Sequence, residues 1–470
     1  MSRREGNFPP YFFFTIHKTG FCKREEATGM IRILLGALIW IIILTASVFA
    51  GDLVITPEGS DRYNPVHIKA DGKGNLWTAY YDLKGMIHIR NITKNKDLIV
   101  NEWAKKGGSN GLSFHIQGEH AFAVWREVEG GLRKLYLRAT HDGGETLSDP
   151  VLIDNRTRAF TRIKMGSNEK GEVFILWYGE KRSQYPFYEV HSSDFGLTFS
   201  EPQNLTTGYK ESIYPTLLVD EKGAHMFSYS IRDNKLYMIT RKTIDGGITW
   251  TEPLEIKEIG VVTLFIEPIR VGNRLHVFWY NGYKYGYIIE SAYSDDEGKT
   301  WKTTALDETR GLDFEAMQVI KDLAGNIYLS FSAHRDISEK LNVYIMKSAD
   351  NGETWSKLIP LRHYPFENTH AQSPAISAAD SGEVVAVWAD YRNIRSNLYM
   401  QYSKDFGTTW LEKDIPLEEP GRFNTSLYPY TNSILKAGDR YYLLAQRFRS
   451  DYIMQEADLL LLDFKPEAGK

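Results

Sequence analysis

One short motif occurs six times along the chain, and its regular spacing constrains the fold more than any other feature. Each copy has the form Ser/Thr-x-Asp-x-Gly-x-Thr followed by an aromatic residue, or a close variant, as in residues 294–301 and 348–355. Six copies at intervals of 51 to 55 residues do not arise by chance, so the chain consists of repeated units of about that length. The central aspartates are Asp142, Asp194, Asp245, Asp296, Asp350 and Asp405.

The residue types in the motif predict a structural turn. An aspartate carboxylate accepts hydrogen bonds from backbone N–H groups two to four residues on, and a glycine in the turn supplies a positive φ. The threonine hydroxyl bonds back to the loop, and the terminal aromatic residue inserts between neighbouring sheets. Calcium binding is the alternative for six exposed carboxylates, but these loops lack the alternating acidic ligands of calcium sites.

A second pattern extends the repeat beyond the six turns. An alternating apolar strand ends in an aromatic residue about every 52 residues, and further strands precede and follow it. Four antiparallel strands per unit, repeated radially, predict a β-propeller. Eight units can be counted, which predicts eight blades with residues 53–57 as the closing strand of the last one. Seven blades are the alternative if the terminal units merge, and six blades would match the number of Asp-containing turns. The markers are Tyr80, Trp125, Trp177, Tyr229, Trp279, Phe331 and Trp388, with Ala445 at the last equivalent position.

The repeated turn is the Asp box, or bacterial neuraminidase repeat, and the chain resembles the sialidase-like β-propeller superfamily. That resemblance implies an all-β propeller over residues 51–470 and a carbohydrate ligand, because the family includes sialidases, other glycan-active proteins and non-enzymatic receptors. For a sialidase it further implies three arginines on the substrate carboxylate, a Tyr–Glu nucleophilic pair and an Asp acid/base. The family's Arg-Ile-Pro signature is missing, since Arg62 has its proline three residues on and Arg162-Ile is followed by Lys164.

Arginines recur on the face of the propeller opposite the Asp boxes, in the loops that follow each marker. A planar guanidinium binds a carboxylate through two parallel hydrogen bonds, so several converging arginines would suit a sialic or uronic acid. The alternative for each arginine is a solvated ion pair with a neighbouring acid. The predicted substrate-binding residues are Arg232, Arg335 and Arg392, at similar offsets in three units, together with Arg126 and Arg62. Entries to first strands add Arg162, Tyr214, Gln372 and Tyr428.

Candidate catalytic residues lie in the same loops. Asp82 and Asp390 both follow a marker by two residues and are candidate acids, while Glu267, Glu315 and Tyr391 are candidates for a nucleophile or its base. A tyrosine nucleophile needs a nearby carboxylate to take its proton, which is why the two residue types are considered together. The alternative is that each is a loop residue satisfied by water or the backbone. No metal-ligand spacing or phosphate-binding loop is present, so no metal or cofactor is expected.

The N-terminus predicts export. Residues 33–50 form an uncharged apolar run of eighteen residues, preceded by Arg32 and ending in Val48-Phe49-Ala50 before Gly51. This is the layout of a cleaved signal peptide, with a retained membrane anchor as the alternative. Translation begins at Met1 or at Met30. The protein is therefore expected to be secreted, periplasmic or on the outer surface, anchored if the segment is retained.

Composition narrows the class of function. The chain has 56 basic and 60 acidic residues, so no basic surplus suggests a nucleic-acid partner. The single cysteine, Cys22, precedes the apolar run, which excludes a thiol nucleophile or internal disulfide in residues 51–470. Two functions remain: a glycosidase acting on a carboxylated sugar as a monomer, and a non-catalytic propeller that binds glycan or protein.

Overall fold

The computed structural model describes residues 51–466 except 57–58, 62–66, 104–109, 130–131, 156–159, 180–185, 207–208, 210, 261–264, 283–285, 337, 366–368, 429–430 and 451–455. The apolar segment 33–50 and the candidate Arg62 lie outside the described residues. Among the residues described, no helix is long and apolar enough to cross a membrane.

Eight antiparallel sheets form the blades of an all-β propeller, which confirms the predicted fold and blade number. Seven sheets have four strands, and in the eighth the first and last strands are each divided in two. Among the described residues, one 3-10 turn, Asp307–Thr309, lies between the strands. Blade 8 holds β1 Gly51–Val54, β2 Ser60–Asp61, β31 Thr425–Ser426, β32 Ile434–Ala437, β33 Arg440–Phe448 and β34 Glu456–Phe464.

The other seven blades follow in chain order, and in each of them the four strands pair consecutively from the innermost to the outermost. Blades 1 to 3 comprise β3 His67–Ala70, β4 Leu76–Tyr81, β5 Ile87–Asn91, β6 Lys96–Ile99, β7 Asn110–Gln117, β8 His120–Glu129, β9 Leu132–Thr140, β10 Val151–Asp154, β11 Phe160–Ser167, β12 Val173–Gly179, β13 Phe187–Ser192 and β14 Gln203–Asn204. Blades 4 and 5 comprise β15 Glu211–Asp220, β16 Gly223–Arg232, β17 Lys235–Thr243, β18 Leu254–Ile259, β19 Ile266–Val271, β20 Arg274–Gly282, β21 Tyr287–Ser294 and β22 Lys302–Ala305. Blades 6 and 7 comprise β23 Asp313–Lys321, β24 Ile327–His334, β25 Asn342–Ser348, β26 Ile359–Pro360, β27 Ala371–Ala378, β28 Val384–Asn393, β29 Arg395–Ser403 and β30 Ile415–Pro416.

The ring is closed by joining both ends of the propeller in one blade. Strand β1 pairs antiparallel with β34, in a register that sets Gly51 opposite Asp463 and Val54 opposite Leu460. Because β1 comes from the start of the described ring and β34 from its end, this pairing ties the two ends of the ring together. The predicted closing strand is therefore confirmed; it begins two residues earlier than expected and ends three residues earlier.

The apolar core consists of layers between neighbouring blades. One such cluster joins Phe122 and Leu137 of blade 2 to Ile175 and Trp177 of blade 3, all with no solvent exposure. Marker residues occupy these layers, which explains the high aromatic content of the chain. The fully buried tryptophans are Trp77, Trp125, Trp177, Trp279 and Trp388.

The Asp boxes are structural turns, as the sequence predicts. Asp296 accepts hydrogen bonds from the backbone N–H groups of Lys299 and Thr300 at 3.0 and 2.9 Å. It also accepts the hydroxyls of Ser294 at 2.8 Å and Thr300 at 2.6 Å. Trp301 then packs edge-on against Phe227 of the preceding blade, with centroids 5.7 Å apart. All six boxes repeat the two hydroxyl contacts and the threonine N–H contact, so each aspartate stabilises its own turn.

Removing one box carboxylate should destabilise the fold measurably. Asp296→Ala leaves four donors without their acceptor, and we expect a loss of about 2 kcal/mol in the free energy of unfolding. Urea denaturation followed by tryptophan fluorescence measures the loss. Asp149→Ala is the control, since that exposed carboxylate has no hydrogen bond within the described residues, and an equal loss in both variants would contradict the structural role.

The Asp boxes also predict that the fold loses stability at acidic pH. Hydrogen bonds from the Thr249 hydroxyl and backbone lower the pKa of Asp245 from 3.8 to about 2, and those from Thr409 do the same for Asp405. A carboxyl whose pKa is lower in the folded state stabilises the fold above its unfolded pKa, and that contribution is lost as the pH falls from about 4 towards 2. Melting temperatures between pH 7 and 2 test this. A variant Asp245→Asn should lose less than the wild type across that interval.

Candidate functional site

The first strands of the blades surround a central channel, and the two ends of this channel differ. The Asp boxes lie at one end. At the other end, which we call the channel mouth, the first strands begin and the hairpins between second and third strands turn. The predicted arginines and catalytic candidates belong to the hairpins and strand beginnings of the mouth.

Bulges distort several first strands at the mouth. The pairing register between first and second strands shifts between Asn110 and Ser113, and equivalent shifts occur in blades 3, 4 and 7. Each shift contains one residue with positive φ, and outside glycine this conformation costs about 1 kcal/mol or more. Bulges re-aim side chains at the rims of closed sheets, so their recurrence marks the mouth as the candidate site. The residues are Gly111, Arg162, Tyr214 and Ser373, with φ values of 68°, 52°, 57° and 55°.

On the arc of blades 3 and 4, a bulge positions an arginine on an aromatic ring. The guanidinium carbon of Arg162 lies 3.9 Å from the centroid of Tyr214. Tyr214 is itself held by its backbone N–H, which donates to the hydroxyl of Tyr178. Arg162 is exposed and has no carboxylate partner among the described residues. The pair therefore offers a flat cation, backed by an aromatic face, to an anionic ligand.

On the arc of blades 6 and 7, a tyrosine and a glutamate predicted as catalytic candidates come together. Tyr391 and Glu315 interact electrostatically, although they come from different blades. The Tyr391 hydroxyl accepts a hydrogen bond from Gln372 Nε2 at 3.2 Å, and its backbone N–H donates to the His370 carbonyl at 3.0 Å. The tyrosine is thus fixed at both ends beside the carboxyl of Glu315.

The environment favours the protonated forms of both groups. Burial raises the pKa of Tyr391; a hydrogen bond from Ser396 opposes this and the charge of Glu315 adds to it. The side chain of Glu315 is exposed towards solvent, yet desolvation by the surrounding protein raises the pKa of its carboxyl. The charge of His334 opposes this rise and the charge of Asp313 adds to it. A phenol beside a carboxyl can give its proton to a leaving oxygen, or act as a nucleophile after the carboxylate has taken its proton.

Two of the three arginines predicted to bind substrate are held by acids of their own blades. Arg232 forms an ion pair with Glu255 on the outermost strand of its own blade, so its guanidinium reaches away from the channel. Arg392 is bound by Asp390 at 2.6 Å and by Asp414 at 2.7 Å. The prediction that these arginines share one pocket is therefore not supported, because acids of the same blades hold them.

The remaining predicted arginines give no support to a shared pocket either. Arg335 is exposed at a hairpin tip, where its backbone N–H donates to Glu339 at 3.0 Å. Arg126 is half-buried, and burial followed by the charge of Arg133 lowers its pKa. A three-arginine clamp of the sialidase kind is thus not assembled by the described residues.

The two candidate acids have structural environments. Asp82 accepts the backbone N–H groups of Lys84 and Met86, both at 2.8 Å, and so stabilises its own turn. Asp390 has no solvent exposure and binds Trp388 Nε1 at 3.0 Å and Arg362 Nε at 2.9 Å. A carboxylate enclosed in this way cannot reach a substrate, so we do not retain Asp390 as an acid.

Glu267 lies on a first strand, but deeper in the channel than Tyr391. It pairs with Phe278, just before the marker of its blade, and burial raises its pKa while Lys164 opposes the rise. Further ionisable residues of the channel wall were not singled out in the sequence: His67, Lys69, His115 and Lys164. The sequence does contain a pattern that indicates these residues, because each alternates with a core residue such as Ile68 or Ile116 along a first strand.

No metal centre is identified. In the described parts of the chain, no three or more His, Cys, Asp or Glu side chains are grouped so as to hold a metal ion.

Comparison with known proteins supports the fold. Residues 238–434 match the BNR repeat-like domain, and the resemblance drawn from the Asp boxes is thereby confirmed. No curated protein matches the sequence. Among solved structures, an ulvan lyase, described as a new family of polysaccharide lyase, is similar to this chain with a TM-score of 0.50 and 11% identity. The similarity covers 76% of this chain and 94% of the lyase. The complex of that lyase with -[GlcA(1-4)Rha3S]- has the same TM-score and identity. A leech intramolecular trans-sialidase shares 13% identity, with a TM-score of 0.37, over 90% of this chain and 95% of its own.

Proposed function

We propose that this BNR-repeat propeller binds an acidic carbohydrate at the channel mouth and acts on it with Tyr391 and Glu315. The observation that carries the proposal is that this tyrosine and this carboxyl, from different blades, interact electrostatically at the mouth of the channel. The Tyr391 hydroxyl accepts a hydrogen bond from Gln372, and the Tyr391 backbone N–H donates one to the His370 carbonyl. These two bonds hold the tyrosine in place, as a reacting group requires.

Recognition of the acidic group is assigned to Arg162 and Tyr214. A guanidinium without an acidic partner can bind a sugar carboxylate through two hydrogen bonds, and an aromatic ring stacks on sugar faces. Arg232 and Arg392 are already neutralised by Glu255, Asp390 and Asp414 and so are poorly suited to this role.

Two reactions are compatible with a Tyr–Glu pair. In hydrolysis, the pair cleaves the glycosidic bond with addition of water, and Tyr391 or Glu315 supplies the leaving oxygen with a proton. In elimination from a uronic acid, a base removes the C5 proton, the C4–O bond breaks, a C4=C5 double bond forms and the leaving oxygen takes a proton. Since the described residues form no three-arginine clamp, we place uronic-acid polysaccharides before sialosides as substrates.

A substrate panel tests the proposal with the purified protein. The panel contains a sulfated glucuronate–rhamnose polysaccharide, suggested by the ligand of the ulvan lyase, together with alginate, pectate and a fluorogenic sialoside. Absorbance of the new C=C bond near 235 nm reports elimination, and release of reducing ends without it reports hydrolysis. Absence of both turnover and binding on an acidic glycan array would overturn the proposal.

A non-catalytic glycan-binding propeller is the second candidate. It is favoured by the enclosure of Asp390, which holds one predicted acid away from a substrate, and by the turn contacts that occupy Asp82. The same panel separates the two, because retained glycan binding without turnover supports this candidate and excludes the enzyme.

Export through residues 33–50 completes the proposal. An uncharged apolar run that ends directly before the first strand of the ring is suited to a signal peptide or an anchor. N-terminal sequencing of the mature protein tests this: a protein that begins at Gly51 was cleaved, and one that retains residues 33–50 and stays with membranes was anchored.

A further inference from the structure

Below the mouth, five ionisable side chains from four blades line the wall of the channel in two layers. His67, Lys164 and Glu267 form the upper layer, because they pair with Ala79, Leu176 and Phe278. Each of these partners directly precedes the marker of its blade, so the three side chains share one level of the ring.

Lys69 and His115 form the lower layer. They pair with Trp77 and Phe122, which both lie three residues before their markers. The lower layer therefore lies two residues along the strand further from the mouth than the upper layer. Its two members come from the adjacent blades 1 and 2. We call the five residues of both layers the throat.

Side chains of the throat interact electrostatically across the channel. Lys164 of blade 3 interacts electrostatically with His67 of blade 1 and with Glu267 of blade 5. One blade separates blade 3 from each of these partners, so the interactions pass through the lumen and not through the contact between neighbouring blades. The side chains thus surround a common space.

The two lysines of the throat have no carboxylate within salt-bridge distance among the described residues. None of the five side chains forms a hydrogen bond or an ion pair within the described residues, and all remain accessible, Lys164 most of all. Burial, followed by the charges of Lys69 and Lys164, lowers the pKa of His67 to about 3, and burial also lowers the pKa of Lys69. Glu267, the only carboxyl of the five, interacts electrostatically with Lys164.

We propose that the throat is a binding site for an oxyanion, a sulfate or a carboxylate, held by Lys69 and Lys164 with N–H donors from His67 and His115. Unpaired cations around an accessible space are preorganised for such a ligand, because no internal ion pair has to be broken first. The site is separate from the mouth and does not depend on whether Tyr391 and Glu315 turn over a sugar. The anion comes from solution or is a substituent of a glycan.

Isothermal titration calorimetry with sodium sulfate, at constant ionic strength made up with chloride, tests the site. We expect saturable binding of one sulfate per chain, weakened at least about tenfold in Lys164→Met. Lys170→Met is the matched control, because Lys170 of the same blade lies at the Asp-box end, where Nζ donates to the Glu221 carbonyl at 2.6 Å. Tyr391→Phe should bind sulfate as the wild type does, so failure of the throat and failure of the mouth are distinguishable.

Thermal melting of a second variant distinguishes loss of sulfate binding from a folding defect. Lys69→Met removes an ammonium from a place where burial disfavours it, so the free variant should melt at or above the wild-type temperature and yet gain less from sulfate. A sulfated monosaccharide titrated beside free sulfate identifies the source of the anion, and tighter binding of either supports the site. Absence of saturable sulfate binding, or equal binding in Lys164→Met, would overturn it.

Discussion

Tyr391→Phe should lower the turnover of an acidic polysaccharide by about 10² to 10³-fold, with little change in KM. The phenol oxygen is the only atom lost, so the bulk of the side chain and its place at the mouth are kept. Gln372 loses its acceptor, but that contact is partly exposed and contributes little to stability. Steady-state kinetics on the best substrate of the panel give the two constants.

Tyr237→Phe is the matched control for that variant. Tyr237 lies on the third strand of blade 4, next to Arg232, and belongs to the same end of the propeller without facing Glu315. Its turnover should stay within about twofold of the wild type. If Tyr391→Phe is equally active, Tyr391 has no part in the reaction, and the non-catalytic propeller or another acid must be considered.

The pH dependence of kcat tests the role of the Glu315 carboxyl independently. If Glu315 takes the proton of Tyr391, the active form carries an ionised Glu315, and kcat rises with pH through the pKa of that group. Desolvation by the surrounding protein raises this pKa above the ordinary value of 4.5, so the rise should lie above the usual carboxyl range. Glu315→Gln should remove the rise together with most of the activity, whereas Glu258→Gln, on an exposed outer strand, should leave both unchanged.

The fold could be predicted from the sequence because its signals are local. An Asp box needs only eight consecutive residues, and the hydrogen bonds of Asp296 join atoms no more than four residues apart. The markers recur for an equally local reason, since a strand with alternating apolar residues packs on both neighbours. The blade count follows from the repetition of these signals.

The site could not be predicted to the same extent, because it depends on which way a side chain turns. An offset from a marker fixes how high Arg232 or Arg392 lies on a blade. It does not say whether the guanidinium reaches inward or, as here, towards acids near the outermost strand. Arg162 shows the opposite case: a one-residue bulge turns its side chain onto Tyr214, and no residue type in the sequence signals the bulge.

The same limit applies to Asp390, which shares its offset with Asp82 and yet has a different role. Trp388 and Arg362 both donate to Asp390, and Arg392 adds a bond at 2.6 Å. Although burial opposes the charged form, the hydrogen bonds from Arg392 and Trp388 keep the pKa of Asp390 below its ordinary value. The carboxylate is therefore ionised and binds both the buried Arg362 and the partly exposed Arg392.

Asp390→Ala should consequently destabilise the propeller by about 3 to 5 kcal/mol, because it leaves Arg362 buried without its counter-ion. Chemical denaturation measures the loss. Glu419→Ala is the control, since it breaks an exposed ion pair with Arg422, and such pairs contribute about 1 kcal/mol or less.

A double variant separates loss of charge balance from loss of packing. If the unpaired guanidinium causes the damage, adding Arg362→Met to Asp390→Ala should recover part of the stability, because the stranded charge is then removed along with its partner. Additive losses in the double variant would mean that the two side chains act independently. A small loss in Asp390→Ala alone would mean that water reaches the carboxylate, and Asp390 would then return as a candidate acid.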